Sequence, residues 1–183
     1  GIYPLFEEKP DLVVSGINMG RNTGLGFILS SGTVGACFEA NIAGIPGVAI
    51  SQEMAREVFR HWNANRELPD GVAERLDAQL EGFVEQTFSM LEERDDFPSE
   101  PVTWNLNFPF EPAADCAIRP ARIGYNLYGS YFEGKGGRYS HTSQLEMTAF
   151  DERDTADARL LLRQGQATVT RIDLREFGQN IDW

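Results

Sequence analysis

The chain has 183 residues, 42% hydrophobic and 24% charged, the composition of a folded domain with a sizeable core rather than of a disordered segment. With 28 acidic against 16 basic residues it carries a formal net charge of −12, which argues against a protein that coats nucleic acid. No run approaches the roughly 18 apolar residues of a membrane span, no basic-then-apolar leader is visible, and two cysteines make neither a disulfide framework nor a zinc spacing, so a cytoplasmic location and no membrane partner are expected.

Residues 1–9 read as the end of a helix that crosses into a strand at 11–15, where Leu12, Val13 and Val14, bounded by Gly16, suggest a buried strand of a parallel sheet. A loop dense in Gly, Asn and Ser follows: Asn18, Gly20, Asn22, Gly24, Gly26, Ser30, Ser31, Gly32 and Thr33. Helical spacing begins at Val34 and runs to Ala43, Gly44-Ile45-Pro46 stops it, and 47–51 reads as a second strand. A strand-helix-strand unit of this kind has parallel strands and a right-handed crossover. Ligands of open α/β sheets bind beyond the carboxyl ends of the strands, and a helix N-terminus there offers unpaired N–H groups to an anion. Phosphate is therefore the expected ligand.

Residues 52–67 are polar with scattered aromatics and read as a short helix plus loop. Val72, Leu76, Leu80, Phe83, Val84, Phe88 and Leu91 fall on one face of an amphipathic helix that ends near Glu93 and should cover one face of the sheet. A strand is expected over 102–108. Beyond it, 117–128 and 138–148 read as paired extended segments on either side of the Gly-rich stretch 129–137. A helical turn at 157–163 and a strand at 166–172 complete a single α/β domain over 1–183, with no repeat or linker to divide it.

Two enzyme classes fit poorly. The glycines do not form Gly-x-Gly-x-x-Gly, and Ser51-Gln52-Glu53 offers at best a late acidic residue after the second strand, so a dinucleotide-binding oxidoreductase is disfavoured. A serine hydrolase needs a base and its orienter, and Ile28-Leu29-Ser30-Ser31-Gly32 lacks the nucleophile elbow. His61 and His141 are the only histidines. His61 reads as a surface or packed residue; His141, on the extended segment, is a candidate for contact with substrate from a neighbouring loop.

A family resemblance rests on Pro10-Asp11-Leu12-Val13-Val14-Ser15-Gly16-Ile17-Asn18-Met19-Gly20, then Asn22 and Gly24, Ser31-Gly32-Thr33-Val34-Gly35-Ala36, Gly44-Ile45-Pro46 and Ala49-Ile50-Ser51. Downstream, Trp104-Asn105-Leu106-Asn107-Phe108-Pro109, Asp154-Thr155-Ala156-Asp157 and Gly165-Gln166-Ala167-Thr168-Val169-Thr170 continue it in order. In these segments the chain resembles the SurE (survival protein E) 5′/3′-nucleotidases.

The resemblance implies a Rossmann-like three-layer α/β fold with an antiparallel hairpin arm, at 117–148, that mediates a homodimer or homotetramer. It implies a metal-dependent phosphomonoesterase acting on nucleoside 5′- and 3′-monophosphates, with acid phosphatase character. Asn18 is implied as a ligand of a divalent cation, Mg²⁺ or Mn²⁺. Asn22, Ser31, Gly32 and Thr33 are implied as phosphate contacts, and Asn18, Ser31 and Thr33 as the catalytic set. Ser31 stands one place later than in the commoner family spacing, so Ser30 is an alternative contact.

The family's opening Asn-Asp-Asp-Gly segment, whose aspartates hold the metal, has no counterpart here, which suggests an N-terminally truncated fragment in which Asn18 alone of the protein metal ligands remains. Asp95-Asp96 follows an amphipathic helix rather than an apolar strand and does not replace the pair. The alternative to an enzyme is a non-catalytic nucleotide- or phosphate-binding module that oligomerises.

Overall fold

The computed structural model describes residues 7–130, 132–141 and 147–177. In chain order the elements are β1 (Val13–Met19), α1 (Leu25–Ser30), α2 (Gly32–Ile42), β2 (Gly47–Gln52), α3 (Arg56–Asn65), α4 (Val72–Glu92), β3 (Thr103–Phe108), β4 (Ile118–Pro120), β5 (Asn126–Tyr128), β6 (Phe132–Lys135), β7 (Arg138–His141), β8 (Met147–Phe150), α5 (Asp157–Gln164) and β9 (Ala167–Ile172), with a 3-10 turn at Leu174–Glu176.

A five-stranded sheet in the order β1-β2-β3-β9-β4 forms the middle layer. β1, β2 and β3 are parallel, in a register that sets Val14 beside Val48 and Val48 beside Trp104, and β9 returns antiparallel to β3. Alternation along the strands divides the side chains between two faces. Val48, Ile50, Trp104, Leu106, Phe108, Ala167 and Val169 meet Phe83 and Leu91 of α4, where the Phe83 and Phe108 rings stack at 4.8 Å. Burying each such apolar side chain contributes about 1.5–3 kcal/mol, so this face holds most of the stabilising burial.

On the opposite face Ala49 and Ile172 pack with Ile28 of α1 and Val34 and Cys37 of α2. Burial pushes the Cys37 thiol up to about 12, so it behaves as a small apolar side chain rather than a nucleophile. The same face of β3 carries Thr103, Asn105 and Asn107, all buried. That polar stripe, where apolar residues would be ordinary, supports the loop after β1. A third cluster joins Met54, Val58, Leu76 and Phe110.

The three-layer α/β architecture, the parallel strand-helix-strand unit and the amphipathic helix therefore stand as expected, and several local readings are corrected. Residues 7–12 are not helical, and the remainder of the expected N-terminal helix lies outside the described residues. The first strand runs over 13–19 instead of 11–15, and among the described residues it is an edge strand paired with β2, with Val14 51% exposed. It continues through Gly16, at φ 122, where a Cβ would run into the Ile50 carbonyl oxygen.

Residues 117–128 and 138–148 are not one continuous pair. Ile118–Pro120 joins the main sheet beside β9, β5 pairs with β8, and β6, inside the Gly-rich stretch 129–137, forms a hairpin with β7 around Gly136 and Gly137. Residues 142–146 of that segment lie outside the described residues. The antiparallel hairpin is present, but its strands are short and its base is tied to the body.

Candidate phosphate-binding site

After β1 the chain turns back across the carboxyl ends of β2 and β3. Gly20 donates its N–H to the Gln52 carbonyl at 2.8 Å. Asn22 then drops into the buried polar stripe. Its backbone N–H donates to Asn107 Oδ1 at 2.6 Å, its carbonyl accepts from Asn105 Nδ2 at 2.9 Å and Asn107 Nδ2 at 3.3 Å, and its own Nδ2 donates to Ser51 Oγ at 2.8 Å. A loop backbone buried this deeply needs such partners, since each unpaired group would cost about 1–3 kcal/mol. The Asn22 amide is thus turned inward, and one Nδ2 hydrogen remains for any contact with phosphate.

The next residues form α1, a six-residue helix that the glycines at 24 and 26 disguise in the sequence. Its first donors are all taken by distant acceptors: Gly24 N–H by Asp157 Oδ2 at 2.8 Å, Leu25 N–H by the Gly124 carbonyl at 2.8 Å, and Gly26 N–H by Asn126 Oδ1 at 2.7 Å. Gly24 sits at φ 77, and a Cβ there would meet the Asn126 side chain, so only glycine fits. Phe27 lies between Arg21 and Tyr128, with ring centroids 5.2 Å apart from Tyr128 and the Arg21 guanidinium 5.5 Å from its own ring.

Ser30 and Ser31 part ways at the end of α1. Ser30 is exposed and its hydroxyl donates back to the Gly26 carbonyl at 2.9 Å within the helix. Ser31 is the N-cap of α2: its Oγ accepts from Val34 N–H at 3.1 Å and its carbonyl from Gly35 N–H at 2.9 Å. Among the described residues no acceptor is found for the N–H groups of Gly32 or Thr33. A Cβ at Gly32 would have nothing within 4 Å, so the space on that side of Gly32 is open. An eleven-residue helix thus presents its N-terminus, two unpaired amides and two hydroxyl side chains beyond the carboxyl end of β1. An anion is what such an array binds.

The family scan matches residues 1–130 to the model described as survival protein SurE. The chain belongs to the SurE family. It is 36% identical over 133 residues to the 5′-nucleotidase SurE of Methanothermobacter thermautotrophicus, covering 73% of this chain and 47% of that protein. With the 5′-nucleotidase SurE of Methanocaldococcus jannaschii the identity is 26% over 186 residues, covering 100% of this chain and 65% of the relative. Among solved structures, the crystal structure of SurE from Aquifex aeolicus matches with a TM-score of 0.58 and 26% identity over 92% of this chain and 62% of that one. The chain spans about half the length of the first curated relatives it matches.

Asn18 lies at the end of β1 in this SurE chain. Its Nδ2 donates to the Gly20 carbonyl at 3.1 Å, a local side-chain-to-backbone bond across the turn, and no donor to its Oδ1 is found among the described residues. One neutral oxygen does not make a site for a hard dication, which takes about six oxygens with carboxylates among them. Among the described residues no group of three or more His, Cys, Asp or Glu is placed to hold a metal ion. Asp96 does not contribute, being paired with Arg94 at 2.8 Å and Arg171 at 3.0 Å. The described residues alone therefore do not complete a site for the implied cation.

His61 is exposed on α3, and His141 closes β7 on the hairpin. A cavity of about 480 Å³ lies away from the loop, lined by Glu53, Glu57, Phe110, Glu111 and Arg163 among others, and none of residues 18–33 borders it. Its acidic lining is wrong for phosphate. In the sequence, Asn105, Asn107 and Asp157 stand within the matching segments but are given no role, and Asn126 is not singled out. Each is a polar residue in an otherwise structured, buried segment, and that placement is the signal that could have marked them.

Proposed function

We propose that this chain carries the phosphate-binding half of a phosphomonoesterase that hydrolyses nucleoside 5′- and 3′-monophosphates. The observation that carries the proposal is the open N-terminus of α2, where the Gly32 and Thr33 amides lack acceptors among the described residues and the Ser31 and Thr33 hydroxyls stand beside them. Neutral donors suit a chain of net charge −12, which attracts no anion at long range and must hold it by short hydrogen bonds. In the proposed reaction a water oxygen forms the new bond to phosphorus, the ester P–O bond breaks, and the nucleoside hydroxyl leaves with a proton. The donors at α2 stabilise the charge on the phosphoryl oxygens as this happens.

The SurE relatives that carry the name 5′-nucleotidase support the substrate class. A divalent cation, Mg²⁺ or Mn²⁺, belongs to the proposal as the positive charge that offsets the phosphate; among the described residues Asn18 Oδ1 would contribute to holding it, and the remaining ligands would come from outside them. A cytoplasmic enzyme that assembles as a homodimer or homotetramer through the 117–148 hairpin completes the picture, supported by the exposure of Tyr125, Leu127, Phe132 and Tyr139.

A second reading, binding without turnover, is favoured by the incomplete cation site. Titrating the 183-residue chain with inorganic phosphate and with adenosine 5′-monophosphate, while following the Gly32 and Thr33 amide resonances, tests both. Shifts at those amides together with metal-dependent phosphate release support the esterase. Shifts without release support the binding module. Unmoved amides refute both.

A further inference from the structure

Among the described residues, Asp157 is the one acidic residue that is completely buried, at 0% exposure, and nothing in the chemistry above uses it. It begins α5, and among the described residues its carboxylate has no cation beside it. Its partners are three backbone amides: Oδ2 accepts from Gly24 N–H at 2.8 Å, while Oδ1 accepts from Gly124 N–H at 3.0 Å and from Ala158 N–H at 2.8 Å. Gly24 precedes α1, and Gly124 precedes β5 at the root of the hairpin segment. One side chain thus ties the loop, the hairpin base and α5 together. The tie is doubled by Leu25 N–H on the Gly124 carbonyl and by Gly26 N–H on Asn126 Oδ1.

From this geometry we propose that Asp157 is a positioning residue for the phosphate site, acting through Gly24 to fix α1 and, through it, the Ser31-Gly32-Thr33 turn at the start of α2. The chemistry explains why a carboxylate stands here. Three donors converge on two oxygens, and an amide would accept on one oxygen while aiming its own N–H groups at the amide it faces. A buried carboxylate without a counter-ion is costly, and burial does push its carboxyl up from the ordinary value even against the backbone amides that pull it down. Such a cost is sustained where the group holds a geometry. α1 has only six residues and two glycines among residues 24–26, so it does not hold itself, and its N-terminal donors are satisfied only from outside.

The proposal rests on the loop being the phosphate site, and the test separates the two. In the wild-type chain, amide hydrogen exchange of Gly24 and Gly124 should be slow, and a through-hydrogen-bond coupling should link the Gly24 nitrogen to the Asp157 carboxyl carbon. This needs no variant and no ligand, and fast exchange at Gly24 overturns the clamp whether or not phosphate binds. In Asp157→Asn, Gly24 exchange should rise about ten-fold or more while Val48 and Leu106 in the sheet keep their protection, and the affinity for inorganic phosphate should fall by about ten-fold. Equal loss of protection at all four amides, or unchanged phosphate affinity in a variant whose Gly24 exchange has risen, refutes the positioning role. If the wild-type chain shows the slow amides and the coupling but binds no phosphate, the functional proposal fails and the clamp remains as a fold element only.

Discussion

Replacing Asn107 with Ala should destabilise the chain by about 2–3 kcal/mol. Asn107 Oδ1 is the acceptor found for the buried Asn22 N–H, at 2.6 Å, so its loss leaves a donor without a partner in a place water does not freely reach. An orphaned buried amide costs about 1–3 kcal/mol. The second contact, Asn107 Nδ2 to the Asn22 carbonyl at 3.3 Å, is longer and is shared with Asn105 Nδ2 at 2.9 Å, so its removal adds only about 0.5 kcal/mol. In a domain of this size each kcal/mol lowers the thermal midpoint by about 2–4 °C, giving a drop of about 4–12 °C. Because either asparagine can serve the carbonyl alone, Asn105→Ala with Asn107→Ala should cost more than the sum of the singles, by about 1 kcal/mol. Urea unfolding of the four proteins measures this. A loss below about 0.5 kcal/mol for Asn107→Ala, with Asn22 still protected from exchange, would show that the amide finds another acceptor and that the polar stripe does not anchor the loop.

Ser31→Ala should cost about 1 kcal/mol through the lost cap and weaken phosphate binding, whereas Ser30→Ala, at an exposed helix end, should change stability by less than about 0.5 kcal/mol; the reverse order would place the contact at Ser30. Gly47→Ala should destabilise by about 1–3 kcal/mol, because a Cβ there would lie 2.5 Å from Cys37 Cβ, and a thermal midpoint equal to wild type would contradict the close approach of α2 to β2. Hydrogen bonding from Arg175 holds Asp173 well below its ordinary value of 3.8, at about 2, so the stability it contributes is present above 3.8 and lost as pH falls through about 2. Thermal midpoints between pH 5 and 2 should therefore fall less steeply in Asp173→Asn, and an identical slope would refute the assignment. Deleting 127–139 should yield a smaller species in sedimentation if the hairpin joins subunits, and an unchanged species would place its exposed aromatics on their own chain.

The elements that declared themselves in the sequence are those whose pattern is local. Val72, Leu76, Leu80, Phe83 and Leu91 mark α4 by spacing alone, and the apolar run of β2 and the alternation of β3 mark the strands. What escaped is set by partners distant in the chain. α1 is hidden by Gly24 and Gly26, because the acceptors that hold its first turn sit at 124, 126 and 157. Residues 118–120 looked like part of the hairpin, and their pairing with β9 depends on a register that no local pattern encodes. The Ser31-Gly32-Thr33 turn was legible as a helix start after a glycine-rich loop. The inward turn of Asn22 was not, since Ser51, Asn105 and Asn107 are on other strands.

The two margins of the central sheet are unlike. At one, β4 is three residues long and carries Arg119 and Pro120, features that discourage a further strand from adding. At the other, β1 offers seven residues, Val-Val-Ser-Gly-Ile-Asn-Met, with no charge and no proline, and Ile17 is 43% exposed beside the half-open Val14. Among the described residues, its irregular register between Ser15 and Asn18 is the one defence. Open strand edges of this kind template the stacking of like chains, so the colloidal behaviour of the 183-residue chain should be governed by these few side chains rather than by its net charge. Turbidity on warming is then a property of one edge, and a lysine at position 14 or 17 is the economical way to suppress it.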